Sequence, residues 1–214
     1  MTWDRIAPLY DPGMKMLMLP FGGERKTRWR FLDAAGIVEG MRVLDVCCAT
    51  GTLTRLAGER VGPGGRAVGI DWAPGMLSRA YRAGAARQKR PAEFVCADAA
   101  QLPFPDACFD CVLAFMALHE IETAARTEAV RECHRVLTTG GCLAVADYPA
   151  LSSGGSLLLK MMLKLFEPGW AADFLRGEHL KVIGSMFAIE QTIPLLDTII
   201  HITVARKATG GRCS

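Results

Sequence analysis

The sequence lacks a hydrophobic run long enough to cross a membrane. A membrane span requires about 20 apolar residues, whereas the longest run here, Leu157–Phe166, is short and is interrupted by Lys160 and Lys164. A secretory signal is also not visible, because Asp4 and Arg5 come before any apolar stretch. We therefore expect a cytoplasmic protein.

The sequence also lacks a strong excess of charge of either sign. Its 25 Lys and Arg residues against 22 Asp and Glu residues leave a formal net charge of +3, which is too small to indicate nucleic-acid binding by itself. Half of the residues are hydrophobic, so intrinsic disorder is excluded. We expect residues 1–214 to form one domain, because two separate cores would each be thin.

The eight cysteines do not suggest a disulfide framework. Most lie in apolar runs, where a thiol packs as a small hydrophobic group. Cys108 and Cys111 form a single CxxC motif, and a zinc site needs a second ligand pair. Because only Cys133 and His134 lie nearby, we expect no metal site.

Short apolar runs alternate with stretches that have helical spacing. This alternation predicts an α/β fold, in which a parallel sheet is covered by helices on both faces. Between residues 41 and 150, the core of the predicted domain, the strands are predicted at 43–46, 67–70, 94–96, 109–114 and 142–146.

The flanking segments are predicted to cap this core. Residues 1–40 are interpreted as helices, and residues 151–186 as cap or lid helices after a flexible hinge at 152–155. A helix is predicted at 123–137, with Thr139, Gly140 and Gly141 as its stop signal. The last two apolar runs, 189–195 and 198–205, are predicted to form an antiparallel hairpin at the sheet edge.

Four aspartates lie at or near the ends of successive predicted strands. Open parallel sheets bind ligands at the carboxyl ends of their strands. One aspartate at such a position is usually a turn former or a helix cap, but a set of four favours a binding site. These residues are Asp45, Asp71, Asp98 and Asp147.

The loop after the first strand distinguishes between two kinds of predicted ligand. A dinucleotide fold uses several glycines there to admit a pyrophosphate, and only Gly51 remains of them. The charge of Asp45 would oppose a diphosphate and suits S-adenosylmethionine, which carries an ammonium and a sulfonium. Asp71 is placed to accept hydrogen bonds from ribose hydroxyls, which both ligand types possess.

Three further residues are candidates for the adenosine part of the ligand. Trp72 can lie along the ribose or the adenine, although a core aromatic is the alternative. Asp98 can accept a hydrogen bond from an adenine amino group. The backbone N–H of Ala99 can donate to a ring nitrogen.

Four segments in this order resemble the motifs of class I S-adenosylmethionine-dependent methyltransferases: 43–51, 68–77, 96–104 and 135–141. The opening segment, 3–11, resembles the ubiquinone/menaquinone C-methyltransferase and phospholipid N-methyltransferase branch. The resemblance implies a doubly wound, Rossmann-like, seven-stranded and mostly parallel sheet with the last strand antiparallel.

The resemblance also assigns roles in the site. It implies that Asp45 serves the cofactor ammonium, that Met76 packs on the adenine and that the backbone around Phe115 closes over the amino acid part. The loop that wraps the methionine end comprises Cys47, Cys48, Ala49 and Gly51. Members of the family usually have glycine where this chain has Cys47 and Ala49, so cofactor binding could be weaker.

Two residues are candidates for the chemistry of methyl transfer. A base is needed only if the acceptor must lose a proton. His119, after the fourth strand, is the best-placed base, and Glu120 could orient it. A structural histidine is the alternative. Tyr10 could line the methyl pocket or pack where the cap meets the sheet.

The remaining apolar segments suggest a lipophilic acceptor. Residues 14–21 and 157–166 flank the predicted pocket, beside the basic cluster Arg25, Lys26, Arg28 and Arg30. This combination suits an anionic lipid surface, although ordinary helix packing is the alternative.

We therefore predict a methyltransferase for a quinone precursor or a phospholipid amine. A methyltransferase for a soluble metabolite and a non-catalytic cofactor-binding protein are the alternatives. Nucleic-acid methylation is disfavoured, because the sequence has no asparagine–proline–proline–aromatic motif. Monomer and homodimer both stay open.

Overall fold

The computed structural model describes residues 3–85, 92–149, 176–196 and 199–208, with the backbone alone for 3–6 and 85. The helices are α1 Trp3–Met18, α2 Glu24–Ala34, α3 Thr52–Val61, α4 Pro74–Ala85, α5 Thr123–Val136 and α6 Glu178–Met186. The strands are β1 Arg42–Val46, β2 Arg66–Asp71, β3 Glu93–Cys96, β4 Phe109–Phe115, β5 Leu137–Asp147, β6 Ala188–Leu196 and β7 Ile200–Arg206. Short 3₁₀ turns occupy Leu19–Phe21 and Leu118–Glu120.

The seven strands form one sheet in the order β3-β2-β1-β4-β5-β7-β6. Strands β1 to β5 pair in parallel, and β7 is antiparallel to both β5 and β6. The sheet therefore confirms the predicted fold class, including the hairpin at the edge and the antiparallel last strand.

The strands are apolar because both faces of the sheet are covered. Alternate residues of a strand point to opposite faces. Val43 and Leu113 belong to a cluster with α1, α2 and α3, whereas Leu44 and Val112 belong to a second cluster with α5 and α6. This two-sided burial accounts for much of the positive mean hydropathy of the chain.

The order of the strands fixes where a ligand can bind. The chain winds outward from β1 to β3 and then returns to place β4 on the other side of β1. A crevice opens at such a switch point, outside the carboxyl ends of the strands. Asp45, Asp71 and Asp147 lie at these ends.

One predicted boundary is wrong. The helix predicted over 123–137 ends at Val136, and Thr139, Gly140 and Gly141 belong to β5 rather than to a helix stop. The reason is that Leu137 is already extended and pairs with Phe109 of β4.

Parts of the predicted caps lie outside the described residues. These are the hinge at 152–155 and the apolar run at 157–166. Of the cap helices predicted over 151–186, the described part from residue 176 onward contains α6. None of the helices in the described ranges combines the length and apolar character of a membrane span.

Candidate functional site

Asp45 lies at the end of β1 and is almost fully buried. Its carboxylate accepts a hydrogen bond of 2.6 Å from the Thr54 hydroxyl in the first turn of α3. Burial raises the pKa of Asp45 to about 7, although Thr54 and the charge of Arg28 act in the opposite direction. A cationic ligand beside this carboxyl would therefore favour its charged form.

Asp71 ties the first loop to the start of α4. One of its carboxylate oxygens accepts a hydrogen bond of 2.8 Å from the backbone N–H of Ala49, and the other accepts one of 2.9 Å from that of Ala73. A carboxylate offers about four lone-pair sites. Asp71 therefore has the capacity to hold the loop and to accept hydrogen bonds from a ribose.

The loop itself has an unusual backbone. Cys47, Ala49 and Gly51 adopt positive φ angles of 56°, 50° and 72°. A β-carbon on Gly51 would lie 2.4 Å from the ring of Phe94, so this position requires glycine. Cys47 and Ala49 keep the left-handed conformation despite their β-carbons, at a cost of about 1–3 kcal/mol each.

Helix α1 covers this loop through a small apolar cluster. Tyr10 packs against buried Ala7, Ala49, Ala73 and Met76. Burial raises the pKa of Tyr10, so its hydroxyl stays protonated at neutral pH. The structure thus places Tyr10 and Met76 beside the cofactor loop.

Arg28 is a residue that the sequence analysis misplaced. It is buried rather than part of an exposed basic cluster, and it forms an ion pair of 2.9 Å with Glu24. Its guanidinium lies 4.8 Å from the centroid of the Phe115 ring. The four-residue spacing between Glu24 and Arg28 on one helix was the available signal for this pair.

The predicted adenine side lies at the ends of β2 and β3. The backbone N–H of Ala97 donates to the carbonyl of Asp71 over 3.1 Å and holds these ends together. Trp72 is 65% exposed, and Ala99 is buried. Asp98 is exposed and accepts a hydrogen bond from the backbone of Ala100, as a turn former does, so its contact with adenine stays a prediction.

A second group of polar residues lies at the ends of β4 and β5. His119 Nδ1 lies 2.6 Å from Asp147 Oδ1, and both residues are buried. The backbone N–H of Leu118 donates to the second carboxylate oxygen over 3.0 Å. Although burial acts to raise the pKa of Asp147, the charge and hydrogen bond of His119 hold it below its usual range.

This geometry gives His119 a second carboxylate partner besides Glu120. When the ring is neutral, an ionised Asp147 accepts the Nδ1 proton, and Nε2 is then the acceptor. Glu120, the partner expected from the sequence, lies 3.5 Å from Nε2. The ring of Tyr148 packs edge-on against the imidazole of His119, with 4.7 Å between the two ring centroids. Asp147 therefore orients the imidazole.

The residues at the ends of β1 and β2 fit S-adenosylmethionine better than a dinucleotide. Two buried carboxylates, Asp45 and Asp71, lie where a diphosphate would be repelled. A sulfonium and an ammonium are stabilised by such carboxylates. Cys47 and Ala49 adopt the same positive-φ conformation as Gly51 in this loop.

Comparison with known proteins agrees with this geometry. Residues 43–141 match the family model of the methyltransferase domain. The chain is 38% identical over 152 residues to a demethylmenaquinone methyltransferase of Thermus thermophilus, covering 71% of this chain and 66% of that protein. It is 33% identical over 178 residues to a chloroplastic 2-phytyl-1,4-beta-naphthoquinone methyltransferase of Arabidopsis thaliana, covering 80% and 62%.

Solved structures show the same fold. A S-adenosylmethionine-dependent methyltransferase from Aquifex aeolicus superposes with a TM-score of 0.67 at 18% identity, covering 85% of this chain and 89% of that one. The [4+2]-cyclase SpnF superposes with a TM-score of 0.67 at 21% identity, covering 86% and 81%. The fold by itself therefore does not specify the reaction.

The two curated relatives are longer proteins, and the chain spans 66% and 62% of their lengths. The matched region nevertheless contains β1 to β4, α5 and the start of β5. It includes Asp45, Asp71 and His119. Residues 43–141 of the chain belong to the methyltransferase domain family, and the cofactor that this family implies is S-adenosylmethionine.

Proposed function

We propose that this chain transfers a methyl group from S-adenosylmethionine to a small lipophilic acceptor, of the quinone-precursor class. The observation that carries the proposal is the buried His119–Asp147 pair, which lies at the same edge of the sheet as Asp45 and Asp71. A base of this kind serves an acceptor that must lose a proton before or during methylation.

We propose the following division of roles at the cofactor. Asp45 faces the ammonium group and Asp71 holds the ribose hydroxyls. The loop residues Cys47, Cys48, Ala49 and Gly51 wrap the methionine end, with the backbone of Phe115 opposite. Trp72, Met76, Asp98 and Ala99 surround the adenosine. The bound cofactor supplies a methyl group that is already activated as a sulfonium, so these residues mainly align it.

His119 acts on the acceptor. Its Nε2 accepts a proton from an aromatic hydroxyl, which makes the neighbouring ring carbon a stronger nucleophile. Asp147 stabilises the imidazolium that results. The buried surroundings of both residues exclude water from the reacting groups. Tyr10, with its hydroxyl protonated, lines the pocket from α1.

The names of the two relatives favour a quinone precursor over a phospholipid amine. One is called a demethylmenaquinone methyltransferase and the other a phytylnaphthoquinone methyltransferase. Both names describe naphthoquinone rings with hydrophobic substituents. A methyltransferase for a soluble metabolite stays the second candidate, and residues 1–214 are proposed to act as one domain.

We also propose that the surface of α1 contacts a membrane peripherally from the cytoplasm. Leu9, Met16, Leu17 and Leu19 are 71%, 75%, 55% and 72% exposed. Lys15 lies among them, and Lys26 and Arg30 follow on α2. Exposed apolar side chains beside basic ones suit an anionic lipid surface.

The test of the acceptor is transfer of a labelled methyl group from S-adenosylmethionine. Three acceptors are compared: reduced 1,4-naphthoquinone with an isoprenoid substituent, vesicles that contain phosphatidylethanolamine, and a lipid-free metabolite extract. The proposal expects label in the naphthoquinol. Label in the metabolite extract alone would identify a soluble acceptor, and label in the vesicle lipid would identify a phospholipid amine.

The membrane contact is tested separately. Sedimentation with anionic and with neutral vesicles is measured for the wild type and for the double variant Met16→Ser, Leu17→Ser. We expect binding to anionic vesicles that the double variant loses. Equal sedimentation of both proteins would contradict the proposed contact.

A further inference from the structure

Arg126 is a buried charged residue that the proposed mechanism does not use. It lies in the first half of α5 and is 2% exposed. Its Nε donates a hydrogen bond of 2.8 Å to the carbonyl of Leu118, and its Nη2 donates one of 2.8 Å to the carbonyl of Ile121. The guanidinium thus spans both ends of the turn that contains His119.

This arrangement has a free-energy cost that packing does not explain. Removing a guanidinium from water is strongly unfavourable unless its hydrogen bonds are replaced. An apolar side chain of similar length would fill the same space without that cost. The two hydrogen bonds from its fork of donors offset part of that cost and fix two carbonyls at once.

The turn needs such a constraint because it connects two rigid elements through an unusual backbone. Met116, just after β4, has a positive φ of 51°. The 3₁₀ turn Leu118–Glu120 then follows before α5 begins at Thr123. A short 3₁₀ turn has poorer hydrogen-bond geometry than an α-helix, so it holds a side chain less firmly by itself.

We propose that Arg126 is the positioning residue for His119: its guanidinium holds the turn so that the imidazole stays hydrogen-bonded to Asp147. Arg126 contacts neither cofactor nor acceptor in this account. The inference rests on the proposed role of His119 as a base. It adds a residue on α5 to the pair formed by His119 and Asp147.

The experiment compares Arg126→Met and Arg126→Lys with the wild type. Methionine keeps an apolar stem and loses both hydrogen bonds, whereas lysine keeps the charge and can reach one carbonyl. The matched control is Arg131→Met, which alters an exposed arginine of the same helix. The first readout is the NMR signal and pH titration of the His119 imidazole, including its Nδ1 proton.

In the wild type we expect a downfield chemical shift for the Nδ1 proton, because this proton forms a short hydrogen bond to a carboxylate. The imidazole of His119 faces Asp147, the last residue of β5, and Tyr148, which follows it. Glu120 lies beside Nε2, and His179 of α6 lies near Asp147. In Arg126→Met we expect this signal to be lost or shifted, with an intermediate result for Arg126→Lys and no change for Arg131→Met.

The second readout is kinetic. At saturating cofactor, Arg126→Met should lower kcat about 100-fold, the effect of displacing a catalytic group by about 1 Å. The Kd for S-adenosylmethionine should stay within about twofold, because Asp45 and Asp71, the carboxylates proposed to hold the cofactor, lie at the ends of β1 and β2. A wild-type protein without transferase activity would overturn the proposed function, while the NMR comparison would still test the positioning role.

A folded Arg126→Met variant with the wild-type imidazole signal would overturn the inference. Loss of folding in both Arg126→Met and Arg126→Lys would also overturn it, because the residue would then serve the stability of the whole fold. An unchanged kcat in a folded variant with a shifted signal would show that the position of His119 does not limit the reaction, and the inference would fail.

Discussion

The carboxyl edge of the sheet has two sides that hold their ligand groups by different means. The first side, at the ends of β1, β2 and β3, uses a carboxylate bonded to backbone N–H groups and a loop with left-handed residues. The second side, at the ends of β4 and β5, uses a pair of side chains, His119 and Asp147. We propose that the first side fixes the cofactor and that the second moves a proton.

The largest effect is expected from a variant that disrupts the second side alone. His119→Asn should lower kcat by about 10²- to 10⁴-fold, the usual contribution of a general base. The Kd for S-adenosylmethionine, measured by calorimetry, should not change. His134→Asn in α5 is the matched control. A His119→Asn variant with the wild-type kcat would contradict the assignment of His119 as the base.

The next largest effect is expected from a variant that disrupts the first side alone. Asp71→Asn removes the charge and one of the two hydrogen bonds to the backbone N–H groups of Ala49 and Ala73. Hydrogen bonds to charged groups contribute about 1.5–3 kcal/mol, so the Kd for the cofactor should rise about 100-fold. Asp110→Asn, at the opposite edge of the sheet, is the control. An unchanged Kd in Asp71→Asn would exclude this residue from cofactor binding.

The pH dependence of stability sharpens the contrast between the two buried carboxyls. The pKa of Asp45 is raised to about 7 in the folded protein, so its contribution to stability is present at low pH and is lost as pH rises through 7. Between pH 5.5 and 8 the wild type should lose about 2 kcal/mol relative to Asp45→Asn. Chemical denaturation at several pH values in this range measures the free energy of unfolding of both proteins. The same pH dependence in the wild type and in Asp45→Asn would contradict the raised pKa.

Asp147 should behave in the opposite way. Its pKa is lowered in the folded protein, so its contribution is present above the unfolded pKa and is lost as pH falls through the folded one. Acid titration of Asp147→Asn against the wild type should therefore show a difference that shrinks at low pH. A difference that grows as pH falls would contradict an ionised Asp147.

The smallest effect concerns the strained loop. Ala49 has a positive φ, so Ala49→Gly should stabilise the protein by about 1 kcal/mol. Ala57→Gly, in the interior of α3, is the matched control and should destabilise it by about 1 kcal/mol or more. Two changes of the same sign in thermal or chemical unfolding would refute the strain at Ala49.

The sequence predicted the first side better than the second because the two depend on different distances along the chain. The loop at 45–51 and the aspartate at 71 belong to one strand–helix–strand unit, which a local pattern defines. The pairing of His119 with Asp147 depends on β4 and β5 lying side by side. Asp147 was predicted only as a strand-end residue, and Glu120 was the partner predicted for His119. The structure places both carboxylates beside the imidazole.

Burial of charged residues was the other feature that local patterns did not predict. Arg28 was grouped with Arg25, Lys26 and Arg30 because all lie close together in sequence. In the structure Arg25 pairs with Glu59 on the surface, while Arg28 points inward. The face of a helix that packs on the sheet decides between these outcomes, and the tertiary arrangement sets that face.

The most direct test of the account is a single-turnover experiment with labelled S-adenosylmethionine prebound to the protein. A reduced naphthoquinone with an isoprenoid substituent is then added. We predict nearly one labelled product per protein in the wild type and slow formation in His119→Asn. At the same cofactor concentration Asp71→Asn should give less product, because less cofactor is bound. Bound cofactor that transfers no methyl group to this or any other acceptor would contradict the account and would indicate a non-catalytic cofactor-binding protein.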